Sequence, residues 1–230
     1  MNDMFLSSAF AGVSLSLIAY WIGTLLKKKW NLAIFNPLLI SIAVTIVVLL
    51  VGNISYETYN EGAQYLSWFL TPATVSLAIP LYEEFELLKK NAMAVTAGII
   101  TGVITSLTTV FVLAVLMKLS HEEYVTLLPK SITTAIGMGV SEEMGGYVTI
   151  TVAVIVITGV LGNMLAEIVC KIFKLQEPIA QGVAIGAAAH AVGTAKAMEM
   201  GEIQGAMSSL SLAVAGVVTV IFASVYAGFI

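Results

Sequence analysis

The stretch NAMAVTAGIITGVITSLTTVFVLAVLM, residues 91–117, holds 27 residues without a single Asp, Glu, Lys, Arg or His. A helix rises about 1.5 Å per residue, so roughly 20 apolar residues cross the hydrocarbon core of a bilayer. This stretch is therefore long enough to span a membrane as one helix. Five further uncharged stretches are also long enough: residues 4–26, 31–56, 62–82, 144–166 and 203–230.

The composition of the whole chain agrees with these spans. Only 10% of the 230 residues are charged and the mean hydropathy is +0.98, whereas soluble domains carry about a quarter of their residues as charges. The connections between the apolar stretches are too short to form a soluble domain. We therefore predict an all-α, polytopic integral membrane protein with six clear transmembrane helices, forming a single membrane domain over residues 1–230. Its N-terminal helices occupy residues 1–60, and residues 61–230 carry the rest.

Charge and cysteine usage exclude several functions. The net charge is −4 and no basic stripe exists to neutralise phosphates, so we expect no nucleic-acid partner. Cys170 is the only cysteine and has no ligand-spaced His or Cys beside it, so we expect no disulfide, metal site or cofactor. Fingerprints of serine hydrolases, zinc proteases and nucleotide-binding enzymes are missing from the sequence. The chain is therefore not expected to be an enzyme.

Two apolar segments contain helix breakers and polar residues, and these are the candidate functional segments. Residues 124–141 read YVTLLPKSITTAIGMGVS, and residues 178–195 read PIAQGVAIGAAAHAVGTA. Interrupted helices survive in hydrocarbon only where protein or a water-filled cavity supplies partners for the backbone. Transporters use such breaks near the bilayer midplane to bind substrate. Both segments are thus predicted to be broken or re-entrant, and lysine positions alone do not decide which of them crosses the membrane.

Lys130 is the first candidate site residue. It follows Pro129 and is flanked by the hydroxyl groups of Ser131, Thr133 and Thr134. Its ammonium group either extends to the lipid headgroups or faces a carboxylate ligand in a cavity. All ten cationic residues are lysines, so paired guanidinium contacts to an anion are not available.

His190 is the second candidate, near the middle of the other broken segment and followed by Gly193 and Thr194. It is either a hydrogen-bonded packing residue or a group that carries a coupled proton. The spacing of Gly182 and Gly186 predicts close helix packing. Asn163, alone in an apolar stretch, is expected to bond to one of the broken segments.

The chain also shows an internal repeat. A shift of 57 residues places positions 72–103 on positions 129–160 with nine identities in 32, among them Pro72 on Pro129 and ITGV at 100–103 on ITGV at 157–160. Apolar sequences match by chance more often than mixed ones, so coincidence is the alternative. Transporters built by duplication show such repeats.

Three blocks of the sequence resemble the signature blocks of the LrgB family of antiholin-like membrane proteins, also called CidB or YohK types. These are LLPKSITTAIGMGVSEEMGG (127–146), ITGVLG (157–162) and EPIAQGVAIGAAAHAVGTAKAMEMGEIQGAMSSL (177–210). The chain departs from the family pattern at Ala135, Ala189 and Lys196, where Pro, Ser and Arg are usual.

The resemblance implies two functions from different classes. Related proteins translocate small monocarboxylates such as pyruvate, glycolate or glycerate, which makes a transporter component working by alternating access the leading hypothesis. Other members act with a small LrgA- or CidA-type holin-like membrane protein on murein hydrolase activity and cell lysis, which is the alternative. Both imply a multi-pass protein in the bacterial plasma membrane, in contact with lipid, and its glycine spacings would also suit a homo-oligomer. The positions that match the family's motifs are the expected substrate-binding residues: Pro129, Lys130, Ser131, Thr133, Thr134, His190, Gly193 and Thr194.

Overall fold

The structure, a computed structural model, describes residues 10–30 and 35–230. In these residues it contains eleven α-helices and no β-strand, which confirms the all-α class for this part of the chain. The helices are α1 (Ala11–Trp30), α2 (Pro37–Gly52), α3 (Tyr56–Ser67), α4 (Leu70–Ser76), α5 (Ala78–Glu83), α6 (Phe85–Met117), α7 (His121–Leu127), α8 (Thr134–Glu143), α9 (Val148–Ile172), α10 (Pro178–Met200) and α11 (Glu202–Ala227).

Three helices are long and apolar enough to cross a membrane. These are α6, α9 and α11, with 33, 25 and 26 residues, and they contain most of the uncharged stretches 91–117, 144–166 and 203–230. The helix α2 is apolar but has only 16 residues, and α1 carries three lysines in its last turn. The structure thus shows a membrane-type protein with three clear spans in the described residues, fewer than the six predicted.

The predicted continuous span over residues 62–82 is wrong. This stretch is divided among the short helices α3, α4 and α5. Pro80 has no backbone N–H to donate to the carbonyl of Ser76, the last residue of α4. The helical hydrogen-bond pattern is therefore interrupted at the boundary between α4 and α5.

The chain forms two compact units, residues 1–76 and 77–230. In the first unit, α1 packs against α2 and α3, and the Ser16 and Tyr59 hydroxyls lie 2.7 Å apart. Residues 4–9 and 31–34 of the predicted spans lie outside the described residues. The single membrane domain stays a prediction.

The second unit is built around α11. Small residues dominate its buried positions, so the neighbouring helices approach its backbone closely. Helices α6 and α10 pack against α11, and α9 packs against α10. Helix α6 buries one face, which is formed by residues three or four positions apart: Val95, Ile99, Val103, Leu107, Val110 and Ala114. The remaining faces of α6 stay exposed, as expected of a helix that contacts lipid on one side.

Residues 121–143 form a helical hairpin, named the first hairpin. Its arms are α7 and α8, and the tip is residues 128–133. Thr126 and Ser141 lie on different arms, yet the Thr151 hydroxyl oxygen lies within hydrogen-bond distance of both, 3.0 Å from the Thr126 carbonyl oxygen and 2.7 Å from the Ser141 hydroxyl. In one continuous helix those two residues would be about 22 Å apart. The chain therefore reverses at the tip.

Residues 178–200 form the second hairpin. Helix α10 leaves helical geometry at Ala189 and at His190, whose φ is +42° and ψ −143°. A Cβ atom on Gly193 would lie 3.2 Å from the carbonyl oxygen of Ile185, although eight helical residues rise about 12 Å. The two arms, residues 178–188 and 191–200, thus lie side by side. Neither segment forms a single straight helix, and the predicted breaks in both segments are confirmed.

Candidate functional site

A cavity of about 780 Å³ lies between α6, the first arm of the second hairpin and the tip of the first hairpin. Its walls are mostly small residues, which include Gly98 and Gly102 on α6 and Ala184 and Ala187 on the hairpin arm. Small side chains on both walls leave space between backbones that would otherwise be filled. The cavity volume lies within the range of small-molecule sites.

Lys130 is the one cation among the residues that line this cavity. Its ammonium Nζ donates to the Ser131 hydroxyl at 2.9 Å and to the Ser106 hydroxyl of α6 at 3.2 Å. The two hydroxyl oxygens lie 3.1 Å apart. No described carboxylate forms an ion pair with Lys130. The charge is thus held by two hydroxyl groups beside an open space.

Counting donors shows what this cluster can bind. A lysine ammonium has three N–H donors and each serine hydroxyl has one O–H donor. The three internal hydrogen bonds use three of these five donors, which leaves one N–H and one O–H. Two donors and one positive charge match the two oxygens and the single charge of a carboxylate.

His190 lies in a different environment, between α9, α10 and α11. Its Nε2 atom lies 3.0 Å from the carbonyl oxygen of Ile155, so Nε2 carries a proton and donates to that carbonyl. The Thr194 hydroxyl donates to the His190 carbonyl at 2.9 Å and lies 2.9 Å from the Ser208 hydroxyl. All of these side chains are buried. The contacts hold the broken backbone of α10 in place.

The second arm of the second hairpin is also tied to α9. The Asn163 amide donates to the Val192 carbonyl at 2.8 Å, which confirms the expected bond from Asn163 to a broken segment. Lys196 pairs with Glu167 at 2.7 Å and with Glu199 at 3.1 Å. The expected close packing at Gly182 is confirmed too, because a Cβ atom there would lie 2.5 Å from the Gln204 carbonyl.

The eight predicted site residues fall into separate groups. Lys130 and Ser131 line the cavity. Pro129 is buried at the tip of the first hairpin, and Thr133 and Thr134 begin α8 without lining the cavity. The remaining three, His190, Gly193 and Thr194, are buried around the break in α10. The structure therefore brings the lysine and one hydroxyl residue together but does not add the histidine to their cavity.

Ser106 is the cavity residue that the sequence reasoning missed. It lies 24 positions before Lys130, on another helix. A signal was present, since Thr101, Thr105, Ser106, Thr108 and Thr109 form a hydroxyl-rich stretch inside an otherwise apolar helix. Such groups in hydrocarbon need partners.

Comparison with known proteins agrees with the signature blocks. Residues 16–229 match the LrgB-like family. Antiholin-like protein LrgB of Bacillus cereus (strain B4264) is 40% identical over 222 residues, covering 96% of both chains, and Antiholin-like protein LrgB of Bacillus anthracis (strain CDC 684 / NRRL 3495) matches to the same extent. No solved structure matches the chain. With the family match spanning both hairpins and the cavity between them, the chain belongs to the LrgB-like family.

Proposed function

We propose that this chain is an antiholin-like protein of the bacterial plasma membrane, which restrains murein hydrolase activity and lysis together with a small holin-like membrane partner. The observation that carries this proposal is the 40% identity to antiholin-like proteins over 96% of both chains. Similarity over 96% of the chain covers nearly all of the helices described above, so the proposal transfers a whole-protein role. Three membrane-capable helices agree with a multi-pass location.

The test of the antiholin-like role is lysis in a strain that lacks its own LrgB-type protein. The chain is expressed with its holin-like partner, and culture density and murein hydrolase activity in gels are followed. We expect slower lysis and weaker hydrolase bands than with the partner alone. Identical lysis with and without the chain, at matched membrane levels, would contradict the role.

A second function is favoured by the cavity, namely transport of a small monocarboxylate. Lys130, Ser106 and Ser131 offer two donors and one positive charge beside the cavity. Among the described residues, the one other charged side chain that lines it is that of Glu177, an acid, so a second carboxylate on the ligand would find no cation there. These features support a ligand with a single carboxylate.

Uptake into proteoliposomes tests the transport function. Radiolabelled pyruvate and glycolate are supplied with and without the holin-like partner, under proton and sodium gradients. We expect uptake by the unmodified chain and its loss in Lys130→Ala. The matched control is Lys171→Ala, because Lys171 is 80% exposed and lies outside the cavity. Equal uptake by both variants would exclude the lysine from the site.

A further inference from the structure

The large cavity extends toward one end of the second unit. Asn91 near the start of α6 and Glu177 at the start of α10 both line it. Ser106 lies 15 residues further along α6, about 22 Å away along the helix axis. The cavity therefore runs from that end of the unit, named the Asn91 end, to the lysine in its interior.

The two hairpins point into the unit from opposite ends. The first hairpin follows the end of α6, and Phe111 of α6 packs against Tyr124 with ring centroids 6.2 Å apart. The arms of the second hairpin lie beside the end of α9, where Gln181 and Met200 share a pocket of about 580 Å³ with Lys171. Since α10 and α6 both start at the Asn91 end, α6 and α9 run antiparallel.

The 57-residue shift relates these two halves. It moves both bounds of the first hairpin, 121 and 143, onto both bounds of the second hairpin, 178 and 200. The same shift aligns ITGV of α6 with ITGV of α9. Opposite orientation combined with one common shift is the pattern of an inverted repeat.

A second, smaller cavity of about 250 Å³ occupies the corresponding place at the other end of the unit. It is lined by Glu123, Thr126 and Leu127 of the first hairpin and by Tyr147 and Ile150 at the start of α9. Under the shift these three hairpin positions correspond to Ala180, Val183 and Ala184, which line the large cavity. Tyr147 and Ile150 correspond to positions 90 and 93, next to Asn91 and Ala94 of that cavity.

We propose that the two cavities are the two access routes of one alternating-access protein, wide in this structure at the Asn91 end and narrow at the Tyr147 end. The proposal rests on the transport function proposed above and adds the route by which the ligand leaves. In an inverted repeat the two halves exchange conformations, so the small cavity grows when the large one closes.

Specific hydrogen bonds hold the first hairpin against the start of α9 beside the small cavity. The backbone N–H of Tyr147 donates to the Thr126 hydroxyl at 2.8 Å, and the Thr151 hydroxyl donates to the Thr126 carbonyl at 3.0 Å. At the wide end the positions equivalent to Thr126 and Thr151 are Val183 and Ala94, whose side chains cannot form such bonds. The difference in side chains thus gives a reason why one route is narrow and the other wide.

Labelling of single cysteines tests the proposal without measuring transport. In a Cys170→Ala background, Ala184→Cys reports on the large cavity and Ile150→Cys on the small one. A membrane-impermeant maleimide is applied to intact cells and to inverted membrane vesicles. We expect Ala184→Cys to react from one side of the membrane and Ile150→Cys from the other. Labelling of both cysteines from the same side would overturn the proposal.

Two further variants shift the balance in opposite directions. Thr126→Val removes the acceptor for the Tyr147 N–H, so labelling of Ile150→Cys should rise and that of Ala184→Cys should fall, each about fivefold for one hydrogen bond. The control is Thr101→Val on an exposed face of α6. Ala184→Trp should keep the large cavity from closing and therefore slow Ile150→Cys labelling.

The outcomes separate this proposal from general loosening and from failure of transport. An increase of both labelling rates in Thr126→Val, or no change at Ile150→Cys in Ala184→Trp, would overturn it. If Thr126→Val does not fold, the tryptophan variant alone decides. If carboxylate uptake is absent but the two labelling rates still change in opposite directions, the transport function is excluded and the two routes remain.

Discussion

Gly159→Ala is expected to destabilise the second hairpin, because Gly159 makes room for the His190 ring. A Cβ atom at this position would lie 2.6 Å from Cε1 and 2.7 Å from Nε2 of His190, and 3.0 Å from Cβ of Val192. The ring is buried and held by the Ile155 carbonyl, so it cannot move without breaking that bond.

The expected cost follows from three opposing contributions. Overpacking a buried site costs about 1–3 kcal/mol, and loss of the His190–Ile155 hydrogen bond costs about 1 kcal/mol more. Replacing glycine by alanine inside a helix returns about 1 kcal/mol. The free energy of unfolding should therefore fall by about 1–3 kcal/mol, which for a chain of this size lowers Tm by roughly 2–12 °C.

The assay is thermal unfolding in detergent, compared with Gly139→Ala as the matched control. Gly139 is helical and exposed, and a Cβ atom there would meet nothing within 4 Å, so this variant should keep or raise Tm. In the double variant Gly159→Ala/His190→Ala the added methyl group no longer meets the ring, and the two effects should fall short of their sum by about 1 kcal/mol. A Gly159→Ala protein as stable as the control, or strictly additive effects, would refute the reasoning.

Three further outcomes are expected. Ser106→Ala removes one neutral hydrogen-bonding group from the cavity, so the Kd for a monocarboxylate measured by calorimetry should rise about fivefold; an unchanged Kd would exclude the serine from the site. Gly186→Ala should lower Tm more than Gly98→Ala, since its Cβ atom would lie 2.8 Å from a backbone Cα atom of α11, whereas at Gly98 it meets one side-chain atom at 3.2 Å; equal losses of Tm would contradict this packing. The pKa of Glu122 lies below its ordinary value because of a hydrogen bond with its own backbone and a second with Ser120. The first turn of α7 should therefore keep the stabilisation from the charged Glu122 at neutral pH and lose it as the pH falls through the lowered pKa. An NMR titration of Glu122 with an ordinary midpoint would contradict this prediction.

Much of the second unit could be predicted from sequence, because uncharged length and helix breakers act locally. The spans α6, α9 and α11 follow from the absence of charge over more than 20 residues. The breaks at Pro129 and near His190 follow from proline, glycine and polar residues in hydrocarbon. The partner of Asn163 also followed, since a lone amide in an apolar helix must bond to a polar group nearby.

The direction of the chain after each break could not be predicted. Proline and glycine release backbone groups, but the contacts that make the chain fold back, such as Gly193 against Ile185, join positions on both arms. The same holds for Ser106 and Lys130, whose helices meet only through tertiary packing. Uncharged length alone was also misleading at residues 62–82, because the stretch carries no charge yet is divided among three short helices.

The glycine and alanine walls of the large cavity make its width easy to change. Where bulky side chains form a pocket, one substitution alters a small part of the contour, but here the clearance is set by single methyl groups and by bare backbone. Exchanging one alanine for leucine would narrow the passage while leaving the lysine and its serines untouched. Homologous chains could therefore admit solutes of different size through a few substitutions on these two walls, while the lysine is retained.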